Sequence, residues 1–397
     1  MTPLAVLLVL AALWLGHLVR ERVLLDRHRQ AVPLRIAVTG TRGKTSVTRL
    51  LAAVLSESGR IVLAKTTGSE AACVLPDGSE EEVRRRGPPS IIEQKRLLRR
   101  AAKLGADTVV VEIMSIRPEN HLVEAGKLLV PQLVLVTNFR VDHVEAQGRT
   151  QQEVATVLAL DVPAGARALV PETEWHQHFA DRVTSRGGTV EKVAAGSGMA
   201  VEGIGQFAAN LDLVSAAARL LGIGEDIIRA GVRGARGDLG ALRVWRYPRP
   251  EGREPWLVVN AFAANDPEST LRIHDRVMNE YGPDAGACVG LLSLRADRGD
   301  RTLQWIDSLR AGSLLRFRRL YVAGLHARAL EHRLRRAPGA ERVCRLSSAD
   351  PRALMERMLD AEGDAGGLLF GFGNIGGLGE SLVRHWHTVG APAMDGG

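Results

Sequence analysis

The chain is poor in aromatic side chains: Phe, Trp and Tyr make up 4% of its 397 residues. That scarcity argues against the stacking platforms that bind single-stranded nucleic acid, and no nucleic-acid partner is expected. Cysteine is equally scarce, and Cys73, Cys288 and Cys344 stand far apart. They form neither a disulfide framework nor a metal-ligand pair, as suits a reducing compartment. Lysine is sparse, with none between Lys127 and Lys192, and no internal repeat or long low-complexity segment is visible. Arginine supplies most of the formal net charge of +7. Such an excess favours polyanions or an anionic membrane surface, although compositional bias accounts for it equally well. The length accommodates one anchor and two or three domains, and 45% hydrophobic residues support sizeable cores.

Residues 3–19 are apolar apart from Gly16 and His17, a run at the short end of a transmembrane helix. No Lys or Arg precedes it and no Ala-x-Ala cleavage site follows, which argues against a cleaved signal peptide. Arg20, Arg22, Arg27, Arg29 and Arg35 flank its C-terminal side. The positive-inside rule then predicts a single-pass protein of the cell membrane with its remaining domains in the cytoplasm, where ATP is found.

Directly behind this segment stands Gly40-Thr41-Arg42-Gly43-Lys44-Thr45-Ser46. Residues 34–39 read as a buried strand, and residues 46–57 as a helix with apolar Val47, Leu50, Leu51, Val54 and Leu55. Strand, glycine-bearing loop and helix form the context of a nucleotide-phosphate loop. Free N–H groups at the helix start meet phosphate oxygens, the glycines allow close approach, Lys44 reaches the β/γ-phosphates and Thr45 holds Mg²⁺. Only Thr41 and Arg42 separate Gly40 from Gly43, where the common motif has four residues before its Gly-Lys pair. The short loop points to a narrower group than the common GTPases.

Two further strands bear on the same site. Residues 108–111 run into Glu112, a carboxylate placed for a divalent cation beside a phosphate loop. Residues 133–137 run into Asn138-Phe139-Arg140-Val141-Asp142-His143. Alone, His143 reads as a loop histidine; beside Lys44 and Glu112 it becomes a candidate ligand for a second metal ion.

With these segments, the sequence resembles the Mur ligase superfamily, and within it the PgsB/CapB family of poly-gamma-glutamate synthase ligase subunits. The matching segments are GTRGKTS at 40–46, KTTG at 65–68, VVVEIMS at 109–115 and TNFRVDH at 137–143. NAFAANDPEST at 260–270, LRADRGDRT at 294–302 and FGFGNIGG at 370–377 follow in the family's order across nearly the whole chain. The resemblance implies an α/β fold: a phosphate-loop Mur-ligase-like central ATPase domain (33–245) and a C-terminal Rossmann-like domain (246–397), behind an anchor and juxtamembrane segment (1–32). It implies an ATP-dependent, ADP-forming amide ligase acting through an acyl-phosphate, with Mg²⁺ or Mn²⁺. Lys44 and Thr45 would hold ATP and metal, with Thr45, Glu112 and His143 as metal ligands. Asn210 would lie near the nucleotide, as would Asn265 and Asp266 of the third-domain loop. Arg236 or Arg243 would belong to the arginine region that contacts phosphate. Glutamate and poly-gamma-glutamate would be substrate and product. Small multispanning and accessory membrane subunits, and further copies of the chain, would be its partners.

The chain also departs from the wider superfamily. A phosphate loop at residue 40 leaves no room for a domain that binds a UDP-linked precursor. The lysine-free stretch after His143 lacks the carbamylated lysine of many members, and Asn260 replaces an acidic residue. Residues 211–221 read as a helix, residues 231–240 as a glycine-bearing break, and Pro248, Pro250 and Pro255 as a linker. Strands are expected at 256–259, 287–294, 319–323 and 367–371, alternating with helices. Arg295 to Arg301 reads as a grip for a polyanionic terminus or as a solvated turn. Gly371-Phe372-Gly373-Asn374-Ile375-Gly376 matches a dinucleotide pattern but lacks the acidic partner strand, so a tight turn is preferred. His274 and His326 read as ordinary structure. The rival functions are a folylpolyglutamate-synthase-like ligase on another small acid, and a membrane-bound nucleotide switch or transport ATPase.

Overall fold

The computed structural model describes residues 2–67, 71–85, 87–198, 208–235, 242–264, 266–285, 287–295, 299–347 and 350–393. The chain divides into two compact units, Met1–Arg236 and Gly237–Gly397.

The first unit opens with α1 (Pro3–Ala31), whose 29 residues reach about 44 Å at about 1.5 Å per residue. Its most apolar window has a mean hydropathy of 1.9 and no buried residue, so it is long and apolar enough to cross a membrane. The helix runs twelve residues beyond the apolar stretch, because its C-terminal half docks on the unit. Leu25 is buried there, and Glu21 pairs with Lys95 of α3 (Glu93–Lys103) at 3.0 Å. Beyond the helix, Arg35 Nη1 donates to the Val32 and Arg29 carbonyls at 2.7 and 3.0 Å.

Eight strands form one sheet: β1 (Leu34–Thr39), β2 (Val62–Lys65), β3 (Ala72–Val74), β4 (Glu80–Glu82), β5 (Thr108–Glu112), β6 (Leu133–Val136), β7 (Arg167–Pro171) and β8 (Thr189–Val193). Their order is β4-β3-β2-β5-β1-β6-β7-β8. β1 pairs in parallel with β5 on one side and β6 on the other, while β3 and β4 continue the sheet antiparallel at one edge. Near-continuous apolar strands such as Val109-Val110-Val111 suit a parallel sheet covered on both faces. One face carries α2 (Lys44–Glu57), α8 (Ala208–Leu220) and α9 (Glu225–Gly234), packed through Val47, Leu51, Leu55, Leu213 and Ile228. The other carries α3 and α6 (Gln151–Leu158), with α4 (Pro118–Val123), α5 (Val144–Gln147) and α7 (Gln177–Ser185) among the intervening segments.

The glycine-bearing break expected from residue 231 is instead continuous helix to Gly234. Gly231 is where α9 meets α2: a Cβ there would lie 2.5 Å from Val54 Cα. The glycine serves close helix packing, and the chain leaves the helix only after it.

The second unit holds a seven-stranded sheet, ordered β13-β12-β11-β14-β10-β9-β15. Its strands are β9 (Arg243–Tyr247), β10 (Trp256–Asn260), β11 (Ala287–Leu294), β12 (Arg319–Gly324), β13 (Val343–Arg345), β14 (Gly367–Gly373) and β15 (Ala391–Pro392). The helices are α10 (Pro267–Ala285), α11 (Gly299–Arg310), α12 (Ala327–Leu334), α13 (Pro351–Ala361) and α14 (Glu380–Val389). β10 to β14 pair in parallel; β9 and β15 are antiparallel. The proline-rich stretch read as a linker joins β9 to β10 as a hairpin, with Trp256 opposite Tyr247. Gly371 of the dinucleotide-like pattern packs in mid-strand against Phe262 and Trp386, which accounts for a glycine there without a cofactor. His274 is buried edge-on between Phe317 and Phe370, as ordinary structure.

Gly231→Ala is expected to destabilise the first unit by about 1–3 kcal/mol, because backbone rather than a flexible side chain stands in the way. A denaturant titration that resolves this unit's transition measures it; an unchanged midpoint would refute the packing role.

Candidate active site

The site forms where the central strand ends. β1 stops at Thr39, and Gly40 turns the chain with φ of 119°. A Cβ at Gly40 would lie 2.2 Å from Thr137 Oγ1, so no other residue fits without displacing Thr137, the residue after β6. Gly43, at φ 78° and ψ −1°, is the N-cap of α2 and makes no side-chain cap. The first N–H groups of α2 thus face the loop, where the helix dipole favours an anion. Lys44 Nζ curls back to donate to the Gly40 carbonyl at 2.7 Å. This bond holds the lysine side chain against the loop.

Glu112, the last residue of β5, is 3% exposed. Its Oε2 accepts from Thr45 Oγ1 at 3.0 Å and from the Thr67 N–H at 2.8 Å. The parallel register of β1 and β5 sets Val38 beside Glu112, which delivers the carboxylate to the loop. Thr45 and Glu112 are hard oxygen donors side by side, and Mg²⁺ takes one or two protein oxygens and completes its shell with water and phosphate. The pair fits such an ion. Among the described residues, no group of three His, Cys, Asp or Glu side chains converges as a metal cage. His143 adopts the left-handed conformation at φ 49° and caps α5. Its backbone N–H donates to Asp142 Oδ1 at 2.9 Å, and its Nε2 lies 3.8 Å from Asp142 Oδ2. Asp142 also lies 3.5 Å from Arg42 Nη1, which links the His143 turn to the loop.

Asn138 was not singled out from the sequence, yet it is the residue that grips the loop. Its Oδ1 accepts from Thr41 Oγ1 at 2.6 Å and the Arg42 N–H at 3.2 Å, and its Nδ2 donates to the Arg42 carbonyl at 3.0 Å. Its position at the end of a strand neighbouring the loop's own strand was the available signal. Glu124 was also missed. It is fully buried, and Oε2 accepts from the Ser115 N–H at 2.9 Å and Ser115 Oγ at 2.5 Å. It holds the turn that follows Glu112, and burial pushes its carboxyl above the usual carboxylate range.

Asn210, near the start of α8, packs on the loop: its Oδ1 would lie 3.2 Å from a Cβ on Gly43. Ser46 lies in the first turn of α2. In the second unit, Arg243 opens β9 opposite Asn260, and Asp266 Oδ1 accepts from the Ser269 N–H at 2.8 Å at the start of α10. Arg236 and Asn265 lie outside the described residues. Of the arginine segment read as a polyanion grip, 296–298 also lie outside them, and Arg301 is 3% exposed. Arg301 is therefore buried rather than presented on a surface.

A phosphate loop at the centre of a parallel sheet, followed in the chain by a second α/β unit, defines a Mur-ligase-type protein. The model of the Mur ligase middle domain matches residues 38–195, and that of the poly-gamma-glutamate synthase CapB C-terminal domain matches residues 246–389. The capsule biosynthesis protein CapB of Bacillus anthracis is 32% identical over 307 residues, covering 76% of this chain and 64% of that protein. The PGA synthase CapB of Bacillus subtilis is 32% identical over 293 residues, covering 71% of this chain and 74% of that one. The match thus spans just under two thirds of the first relative and about three quarters of the second. The fold is shared with the bifunctional folylpolyglutamate synthase/dihydrofolate synthase of Yersinia pestis, at TM-score 0.67 and 16% identity over 93% of this chain and 92% of that one. It is shared also with MurF of Acinetobacter baumannii, at TM-score 0.61 and 14% identity over 91% and 79%. The chain belongs to the poly-gamma-glutamate synthase CapB family of Mur ligases, a group of ATP-dependent amide ligases.

Asn138→Ala releases Thr41 and the Arg42 peptide together and is expected to weaken nucleotide binding about tenfold. Titration with a fluorescent ADP analogue measures this, with circular dichroism reporting the fold. Wild-type affinity in a folded variant would refute the role.

Proposed function

We propose that the chain is the catalytic subunit of a membrane poly-gamma-glutamate synthase, joining glutamates through gamma-amide bonds at the expense of ATP. One observation carries the reading most: Lys44, Thr45 and Glu112 meet at one phosphate cradle in a chain that matches CapB relatives along both units. One relative is named a capsule biosynthesis protein and the other a PGA synthase. Within the chain, residues 1–32 would serve as anchor, 33–245 as ATP-binding domain and 246–397 as ligase domain.

The N–H groups of the loop and of α2 would bind the ATP phosphates, with Gly40, Thr41, Arg42, Gly43 and Ser46 lining the cradle. Lys44 would exchange the Gly40 carbonyl for the β/γ-phosphates and offset the charge that develops there. Thr45 and Glu112 would hold Mg²⁺ or Mn²⁺, with His143 as a ligand from the adjoining turn; such an ion neutralises phosphate charge and orients the carboxylate. Metal-bound neighbours of the fold support this cofactor: one bifunctional folylpolyglutamate synthase/dihydrofolate synthase structure carries Mn, AMPPNP and L-glutamate. Asn210, Asn265, Asp266 and Arg236 or Arg243 are assigned to nucleotide and phosphate contact. A glutamate carboxylate oxygen attacks the γ-phosphorus and ADP leaves. The amine of a second glutamate then attacks the acyl carbon, phosphate leaves with the former carboxylate oxygen, and the amine loses a proton to give the amide. Exclusion of water from the acyl-phosphate would limit its hydrolysis before the amine attacks.

Helix α1 would make the chain a single-pass membrane protein with its catalytic units in the cytoplasm, next to small multispanning and accessory subunits and further copies of itself. The helix's length and hydropathy and the arginines behind it support this placement.

Membranes holding the assembled complex, Mg-ATP and isotopically labelled glutamate are expected to yield ADP and a gamma-linked polymer, with hydroxylamine trapping a glutamyl hydroxamate. Lys44→Ala is expected to lower product formation about a hundredfold or more while leaving membrane attachment intact. ATP turnover without a glutamate-containing amide would overturn the function, and full product from the variant would overturn the role of Lys44.

A further inference from the structure

Behind the phosphate loop sits a buried pair that the steps above do not use. His121 on α4 is 1% exposed, and Asp161, which ends the 3-10 turn Ala159–Asp161, is fully buried. His121 Nδ1 and Asp161 Oδ1 are 2.8 Å apart. Asp161 Oδ2 accepts from Thr39 Oγ1 at 2.5 Å, and Thr39 is the residue immediately before Gly40. On the far side of the ring, His121 Nε2 lies 3.4 Å from Gln147 Nε2, at the end of α5, the helix that His143 caps. A continuous set of buried contacts therefore joins the stem of the loop to the helix behind the His143 turn.

We propose that the His121–Asp161 pair is a positioning device for the phosphate loop, and that its net charge sets the loop's affinity for the nucleotide polyphosphate. The inference rests on the nucleotide reading above and adds residues outside the cradle to it.

The hydrogen bonds indicate the protonation state that the geometry favours. Gln147 Oε1 is buried and makes no hydrogen bond among the described residues. Turning the amide by 180° brings that oxygen to His121 Nε2, where only an N–H satisfies it. Nδ1 needs its proton for Asp161, so in that amide orientation both ring nitrogens carry one and the pair is neutral overall. The charged groups facing the ring are Asp161, Glu124 from the π-helical turn Glu124–Leu129, and Lys44 of α2. Burial opposes the imidazolium, but Asp161 and then Glu124 outweigh it, and the His121 pKa stands above its ordinary value.

Loss of the His121 proton leaves Asp161 as an uncompensated buried charge. That charge adds negative potential behind a cradle that must hold a polyanion, while the bond from Thr39 fixes the pair to the stem of the loop. Affinity is therefore greatest while His121 is protonated and falls as pH rises through its raised pKa. By reciprocity, nucleotide binding raises the His121 pKa further.

The test uses the full chain in lipid nanodiscs and Mg-ADP carrying a fluorescent reporter, titrated from about pH 6 to about pH 9 across the imidazole range. Wild-type affinity is expected to fall about fivefold. His121→Gln is expected to flatten that profile, which a merely structural role would leave in place. Thr39→Val keeps the pair and its charge but removes its link to the loop, and is expected to lower affinity at every pH while the slope remains; with the wild-type slope it serves alone if His121→Gln does not fold. A wild-type slope retained in folded His121→Gln overturns the inference, as does wild-type affinity in folded Thr39→Val or nucleotide binding without any slope. NMR titration of His121 adds an independent readout: no rise in its pKa on adding Mg-ADP also overturns it. A wild type that binds no nucleotide at any pH overturns the nucleotide reading and this inference together.

Discussion

Gly40 leaves β1 at a point where even a methyl group would collide with Thr137. This close approach is possible because β1 and β6 are adjacent parallel strands whose C-terminal ends lie side by side. Once the chain turns there, the start of α2, Lys44 and Thr45 are carried over the end of the sheet, and β5 delivers Glu112 from the opposite neighbour. The central position of β1 in the strand order thus makes one cradle from three sequence segments. A loop of this length at an edge strand would have had a partner on one side only.

Buried polar groups hold the cradle from beneath. Asn138 grips the loop, Glu124 grips the turn after Glu112, and Asp161 grips Thr39. Each acceptor is out of water, so each must be matched by donors or it costs more than it contributes. Matched as they are, these groups specify one loop geometry, which apolar packing of the same volume would leave less defined. The Glu93 carboxylate on α3 extends the same logic: it receives Lys65 at 3.0 Å and Arg85 at 2.8 Å. Its hydrogen bonds to Arg85 and Lys65 outweigh the opposing effect of burial and hold its pKa down to about 2.

Much of this was legible in the sequence where the signal is local. Apolar runs located the central strands, the spacing of Val47, Leu51 and Leu55 located α2, and the loop's composition announced its chemistry. Asn138 and Glu124 were not legible as loop supports, because their partners lie in other segments. Thr41 and Asn138 are 97 residues apart, and pairing at that distance exists only once the sheet is assembled. Gly231 was misread for a related reason: glycine usually breaks a helix, but here the neighbouring α2 requires its small size. The helix α1 outran its apolar stretch because docking on α3, rather than hydropathy, supports its second half. Arg301 looked like a surface cation, and only packing shows it buried.

Local order by itself determined the phosphate loop, the membrane-length apolar helix and the succession of motifs that marks the family. These depend on neighbours in the chain, on backbone propensity and on the hydropathy of a single segment. Tertiary structure alone decided which side chains support the loop, that Glu112 and Thr45 meet at 3.0 Å, and that His121 and Asp161 form a buried pair behind Thr39. The physical reason lies in burial, which depends on every element packed around a group. A carboxylate's partners and a histidine's charge are properties of that surrounding, and no window of sequence contains it.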